Sequence, residues 1–195
     1  MNHPLTESEI RQRLRQQLAR RLVTPGTMAI EEFGIEDGSS RVDMVVVSKT
    51  LDAFEIKSDL DNFLRLRNQI HAYNRVFDTI TLVLGPSHVE AACDLMPSWW
   101  GIARVDRGQR NRLTYTNVRK ASRNPRQDLQ SLAALLWRDE AVATLAARNQ
   151  LPPGVGRATR AEIQSTLAAG LSLRDLRASV VTHLLQRPTT EVRVP

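Results

Sequence analysis

Two acids and an ammonium could meet on one face of a hairpin in this chain. Asp43 lies in the β-branched run Arg41–Val47, and Glu55 and Lys57 lie in the run Phe54–Asp59. Both runs read as strands, and the polar stretch Ser48–Asp52 between them reads as the turn. Strand side chains alternate between faces, so Asp43 shares a face with Val45 and Val47, while Glu55 and Lys57 lie opposite Phe54 and Ile56. Paired as a hairpin, the two strands gather Asp43, Glu55 and Lys57 in a small, apolar-flanked space. Two carboxylates there are costly to bury unless a cation neutralises them. Oxygen ligands of this kind suit a hard divalent ion such as magnesium.

The elements around this pair are legible from pattern and punctuation. Thr6 and Glu9 form a capping-box signal, and Ile10, Leu14, Leu18 and Leu22 recur every four residues, which predicts a helix over 7–22. Pro25-Gly26 ends it. Met28–Ile35 reads as a first strand and Asp37–Ser40 as a turn. Ser58–Asp61 could cap a helix carrying Phe63, Leu66, Ile70, Tyr73 and Phe77 on one face. Thr79–Leu84 reads as a central strand, Ser87–Leu95 as a short helix, and Gly101–Val105 and Leu113–Val118 as further strands, the last at an edge. Helices follow near 126–148, 159–167 and 172–185, broken by Leu151–Gly156. The last eight residues are expected to fray. The order αβββαβ, with a helical crossover into the fourth strand, implies an α/β fold with a mixed sheet flanked by helices.

The arrangement Asp43…Glu55-Ile56-Lys57 resembles the PD-(D/E)XK nuclease superfamily. Val42 stands where the proline of that name would be. Gln69 and Tyr73, spaced four apart, are similar to the QxxxY element of its RecB-type and lambda-exonuclease-like branches, and Glu31-Glu32 falls where many members carry a further acid. The resemblance covers residues 27–100 best. It implies a restriction-endonuclease-like core and a catalytic set of Asp43, Glu55, Lys57, Glu32, Gln69 and Tyr73. It further implies a magnesium ion, replaceable by manganese, on Asp43, Glu55 and the Ile56 carbonyl. Glu31 rivals Glu32, because a one-residue slip of register swaps faces. Lys57 would orient or deprotonate the attacking water, and Gln69 and Tyr73 would bind a phosphate or orient Lys57. Asp59 and Asp61 read as helix caps, and Trp99-Trp100 as core.

Charge placement points the same way. Residues 1–118 hold 15 basic and 15 acidic residues, whereas residues 119–195 hold 12 and 6 and so carry the whole net charge of +6. This divides the chain into a catalytic core over 1–118 and a basic, mainly helical extension over 119–195, packed on the core or appended to it. Only three of 27 basic residues are lysines. Either genomic base composition or phosphate recognition by arginine forks explains that bias. Eight basic residues fall within Arg104–Arg126, against Asp106 alone. Arg41, Arg119, Lys120 and Arg123 are the expected nucleic-acid contacts, flanking the carboxylates.

The single cysteine, Cys93, excludes a disulfide framework and a cysteine zinc site. No apolar run approaches the ~18 residues that span a bilayer, and the N-terminus lacks the apolar core of a leader. A cytoplasmic protein that contacts DNA and no membrane is expected. A homodimer or larger assembly is left open. The leading expectation is a metal-dependent DNA nuclease in repair, restriction or phage defence. The alternatives are a non-catalytic nucleic-acid-binding or assembly module on the same scaffold, and an adaptor for an acidic partner.

Overall fold

The computed structural model describes residues 3–187, and all side chains among them except those of Arg65, Arg67 and Asn68. The expected fraying of 188–195 lies outside the described residues. The chain runs α1 (Glu7–Leu22), β1 (Met28–Ile35), β2 (Ser40–Val47), β3 (Leu51–Lys57), α2 (Leu64–Val76), β4 (Thr79–Leu84), α3 (Val89–Leu95), β5 (Gly101–Arg107) and β6 (Leu113–Arg119). Four helices follow: α4 (Leu129–Ala133), α5 (Arg138–Ala146), α6 (Arg160–Gly170) and α7 (Leu173–Gln186). The strands form one six-stranded sheet in the order β1-β2-β3-β4-β5-β6. β3, β4 and β5 are parallel and the other pairs antiparallel. The expected αβββαβ order and mixed sheet are therefore present. Among the described residues no helix is long and apolar enough to cross a membrane.

Two apolar layers cover the sheet. On one face α1 buries Ile10, Leu14 and Leu18 against Met44, Val46, Phe54, Ile56 and Val83. On the other, Val45, Ala53, Leu82 and Ile102 pack in one cluster with α2, Trp100 and the buried residues of α4 to α7. The C-terminal helices thus share a core with the sheet rather than forming a separate body. Trp99 and Trp100 are buried in this layer, and the Trp100 indole N–H donates to Asn74 Oδ1 at 2.9 Å. Their expected core role holds.

Two boundaries differ from the sequence reading. β3 begins at Leu51, with Asp52 inside the strand and buried. Asp52 is polar, but Arg21, Thr50 and Thr79 satisfy its carboxylate, so burial is tolerated. α2 begins at Leu64, where Phe63 offers no capping side chain and the Leu64 N–H donates to Asn62 Oδ1 at 3.1 Å. The expected caps serve the preceding loop instead. Asp61 accepts from Ser58 N–H and Oγ at 2.7 Å each. Asp59 accepts from the Leu5 and Ser87 backbone N–H groups, fastening the start of the chain to the end of β4.

Candidate active site

The acids meet where the strand pairing of β2 and β3 gives out. The ladder runs from Val47–Leu51 to Met44–Phe54 and stops. Beyond it the Ile56 N–H donates to Asp43 Oδ2 at 2.6 Å instead of to a strand partner. In an antiparallel pair the N–H and C=O of one residue point to the same neighbour, so the Ile56 carbonyl faces the same gap.

Strict alternation fails here, contrary to the sequence reading. Val42 and Val45 pack in the same apolar layer and Met44 in the opposite one, which period two forbids. The cause is visible on β1. Glu32 adopts φ +53, in the left-handed region, and the pairing skips it between Glu31–Met44 and Phe33–Val42. Opposite this kink, Asp43 does not lie flat on the Val45 face. Its Oδ1 meets a cation supplied by α1.

That cation is Arg11, which sequence reasoning missed. Its guanidinium lies 3.1 Å from Asp43 Oδ1, 3.0 Å from Glu32, 2.6 Å from Glu7 and 3.7 Å from Glu31, and it also donates to the Asp43 carbonyl. The side chain is only 13% exposed. Burial opposes its charge, but the Glu7 hydrogen bond and the Asp43 and Glu32 charges together hold its pKa above the usual value. Arg15 forms a fork with Glu31, both contacts at 2.7 Å. A signal existed: Glu7, Arg11 and Arg15 recur every four residues, one position on from the buried Ile10, Leu14 and Leu18, and so share one flank of α1. Of the rival acids, Glu32 is the one that shares Arg11 at close range with Asp43. Arg41, an expected nucleic-acid contact, is 67% exposed and pairs with Glu32 at 2.8 Å.

Glu55 is 2% exposed. Its Oε1 lies 2.7 Å from Lys57 Nζ and its Oε2 lies 2.8 Å from the Tyr73 hydroxyl. Tyr73 is fully buried and stacks on Trp100, with ring centroids 6.2 Å apart. Its oxygen also lies 2.6 Å from the Arg41 carbonyl and accepts from Gln69 Nε2 at 3.0 Å. The expected set of Glu55, Lys57, Gln69 and Tyr73 is therefore in contact. The Tyr73 hydroxyl has one proton for two acceptors. When it donates to Arg41, the Glu55 contact calls for a proton on Glu55.

Electrostatics agree. Burial, then the nearby Asp43 charge, pushes the Glu55 carboxyl up to about 7. Burial also raises Asp43, against the pull of the Ile56 N–H and Arg11. Burial and the Glu55 charge raise the Tyr73 phenol, which stays neutral. Such perturbed acids are a mark of functional sites.

The donor set suits magnesium. That ion is held by one or two carboxylates and keeps several waters; Asp43 lies near enough to Glu55 for its charge to raise the Glu55 carboxyl, and the Ile56 carbonyl faces the gap that Asp43 occupies. Among the described residues no three acidic, imidazole or thiol groups converge as a ready-made cage. Gln69 Oε1 is a buried acceptor without a partner among the described residues.

The expected arginine contacts are redistributed. β6 lies three strands from β3, or ~14 Å at about 4.8 Å per strand. It runs back from Leu113, opposite Arg107, to Arg119, opposite Ile102. Arg119 donates to the carbonyls of Trp100 at 2.7 Å, Pro97 at 3.0 Å and Cys93 at 3.5 Å, so its fork is engaged in holding the loop after α3. Lys120 and Arg123 follow in a segment whose Ser122, Asn124 and Asp128 N–H groups donate to Trp99, Asp78 and Arg75. That segment passes the ends where β4 and β5 begin. Lys57 sits where β3 finishes, roughly 20 Å away along a strand of about 3.3 Å per residue. Lys120 and Arg123 do not flank the carboxylates.

A protein of unknown function from Silicibacter pomeroyi is similar in structure, with a TM-score of 0.44 and 22% identity over 74% of this chain and 89% of that one. Protein cII of Enterobacteria phage P4 is 24% identical over 183 residues, which span 94% of this chain and 68% of that protein. The family model of bacteriophage P4 protein cII matches residues 1–192, and the chain belongs to that family.

Proposed function

We propose that this protein is a metal-dependent deoxyribonuclease of the PD-(D/E)XK type, with Asp43, Glu55 and Lys57 at its centre. The observation that carries the reading is Glu55. It is buried between Lys57 and Tyr73, with its carboxyl pushed up to about 7 by burial and by Asp43. A structural ion pair has no need of a second acid that raises the energy of the first.

The chain's own groups divide the work. Asp43 and Glu55, with the Ile56 carbonyl, would hold the magnesium ion. A bound ion would polarise the phosphodiester and lower the pKa of a water. Lys57 stands 2.7 Å from Glu55, placed to orient that water and to offset charge that develops at phosphorus. Tyr73 and Gln69 fix the Glu55 carboxylate from the far side. Arg11 and Arg41 hold Glu32 beside Asp43.

Arg11 also favours a second reading, a non-catalytic nucleic-acid-binding module on the same scaffold, because it gives Asp43 a counter-ion without any metal. Calorimetric titration with manganese separates the two. The nuclease reading expects one site, lost in Asp43→Asn and in Glu55→Gln. Absence of binding to the native protein would leave only the module.

A further inference from the structure

We propose that the cavity between α1 and the β5–β6 hairpin binds the phosphodiester backbone of a nucleic-acid strand. This rests on the nuclease reading for its substrate but not for its test. The cavity measures about 470 Å³ and is lined by Arg13, Arg107 and Arg112, the Gln12 and Gln16 amides, and one acid, Glu9. Glu9 is committed to Arg107 at 2.6 Å. Arg13 and Arg112 pair with no carboxylate among the described residues, so the cavity carries an unbalanced positive charge.

Arg13 and Arg107 are held in place before any ligand arrives, and Arg112 is exposed beside them. Arg13 donates to the Leu113 carbonyl at 3.2 Å and to Gln17 at 3.2 Å, and its guanidinium lies over the Tyr115 ring at 5.8 Å. Arg107 is 15% exposed and bonded to Glu9 and Asn111, yet its Nε is buried with no acceptor among the described residues. The hairpin tip is fixed as well. Gln109–Arg112 is a two-residue turn closed by the Arg112 N–H on Gln109 at 3.3 Å, and its central residues have φ +54 at Arg110 and +62 at Asn111, the primed geometry that matches the twist of a tight hairpin.

Arg107 also lines two adjoining cavities, one of about 600 Å³ reaching His3 and Thr6 and one of about 390 Å³ lined by Leu5, Leu60, Pro86, Asp59 and Asp106. The groove so formed passes the ends of β4 and β5 on its way to Arg112. Its charge changes along its length, with Asp59 and Asp106 at one end and the arginines at the hairpin, so the phosphates are held at the hairpin end.

Anisotropy of a short labelled DNA duplex with the full chain in EDTA, across a salt series, tests this with no metal and no cleavage. Each phosphate contact contributes about 0.9 to the slope of log affinity against log salt. Arg13→Gln with Arg112→Gln is expected to lower that slope by about 1.8, and Arg13→Lys with Arg112→Lys to restore most of it. Arg112→Gln alone, at an exposed position, is expected to lower it by about 0.9 with the melting temperature unchanged. An unchanged slope in both glutamine variants overturns the proposal, as does a native protein that binds no DNA at low salt. So does calorimetric binding of inorganic phosphate that the glutamine pair abolishes while leaving DNA affinity untouched. If instead the nuclease reading were wrong, DNA would still bind here and added magnesium would release no cleavage.

Discussion

Glu55 and Arg11 are the two residues on which the metal-free protein balances. Burial and the Asp43 charge push the Glu55 carboxyl up to about 7 in the fold against 4.5 ordinarily, so the folded state binds the proton more tightly. By linkage, the stability that a neutral Glu55 contributes is present below pH 4.5 and is lost as pH rises through 7. At ~1.4 kcal/mol per pKa unit this is of order 3 kcal/mol, shared with Asp43 because the two titrate together. Glu55→Gln is expected to raise the melting temperature relative to the native protein more at pH 8 than at pH 5. Paired thermal melts at the two pH values check it; an equal difference at both would mean that Glu55 is ionised throughout. Arg11 is the converse case. Arg11→Gln leaves Glu7, Glu32 and Asp43 without their shared cation, and breaking a buried pair costs about 3–5 kcal/mol. The metal-free variant is expected to melt several degrees lower, and manganese is expected to raise its melting temperature more than it raises that of the native protein. Equal manganese shifts in both proteins would separate Arg11 from the metal site.

The kink in β1 decides which acids meet. Glu32 holds φ +53 and turns Asp43 toward α1. Glycine adopts such a backbone freely, whereas a β-branched residue there is a severe outlier. Glu32→Gly should therefore fold with a melting temperature within a few degrees of native, and Glu32→Val should lose ~2 kcal/mol or more by chemical denaturation. Equal stability of the two would mean that the kink relaxes without cost. This kink marks the limit of sequence reading. Apolar runs and the turn residues around them placed α1, β1 and β4 at their observed bounds, and for α1 the reason is a regular buried stripe of Ile10, Leu14 and Leu18. These signals could not show that the β1–β2 pairing passes over Glu32 and Asp43, since nothing in Glu31-Glu32 distinguishes an acid in the left-handed region from an extended one. Nor could they show that Ser58 and Asp61 bond to each other instead of capping α2. The contact of Glu55 with Lys57 was legible, because the two sit two apart on one strand. The bond of Tyr73 to Glu55 was not, because a helix pattern places Tyr73 on a face without saying which strand residue it meets.

For the molecule as a whole, direction along the sheet matters more than charge in the sequence. The basic run Arg104–Arg126 reads as one patch but folds as two. Arg107, Arg110 and Arg112 lie around the tip of the β5–β6 hairpin, at the end of the sheet where β3 finishes. β6 then carries Arg119, Lys120 and Arg123 back to the opposite end. Residue counts cannot reveal a strand reversal. The C-terminal helices, read as packed or appended, share the apolar layer that buries Tyr73 and Trp100 and so brace the Glu55 side of the acid pair. What remains is whether this scaffold cuts DNA. Digestion of linear and circular DNA by the native protein with magnesium or manganese, beside Glu55→Gln and Lys57→Ala, answers that. Cleavage is expected from the native protein, lost in EDTA and in Glu55→Gln, and slowed ~10²-fold or more in Lys57→Ala. Cleavage undiminished in Glu55→Gln, or no cleavage of either DNA by native protein loaded with either ion, would overturn the nuclease reading.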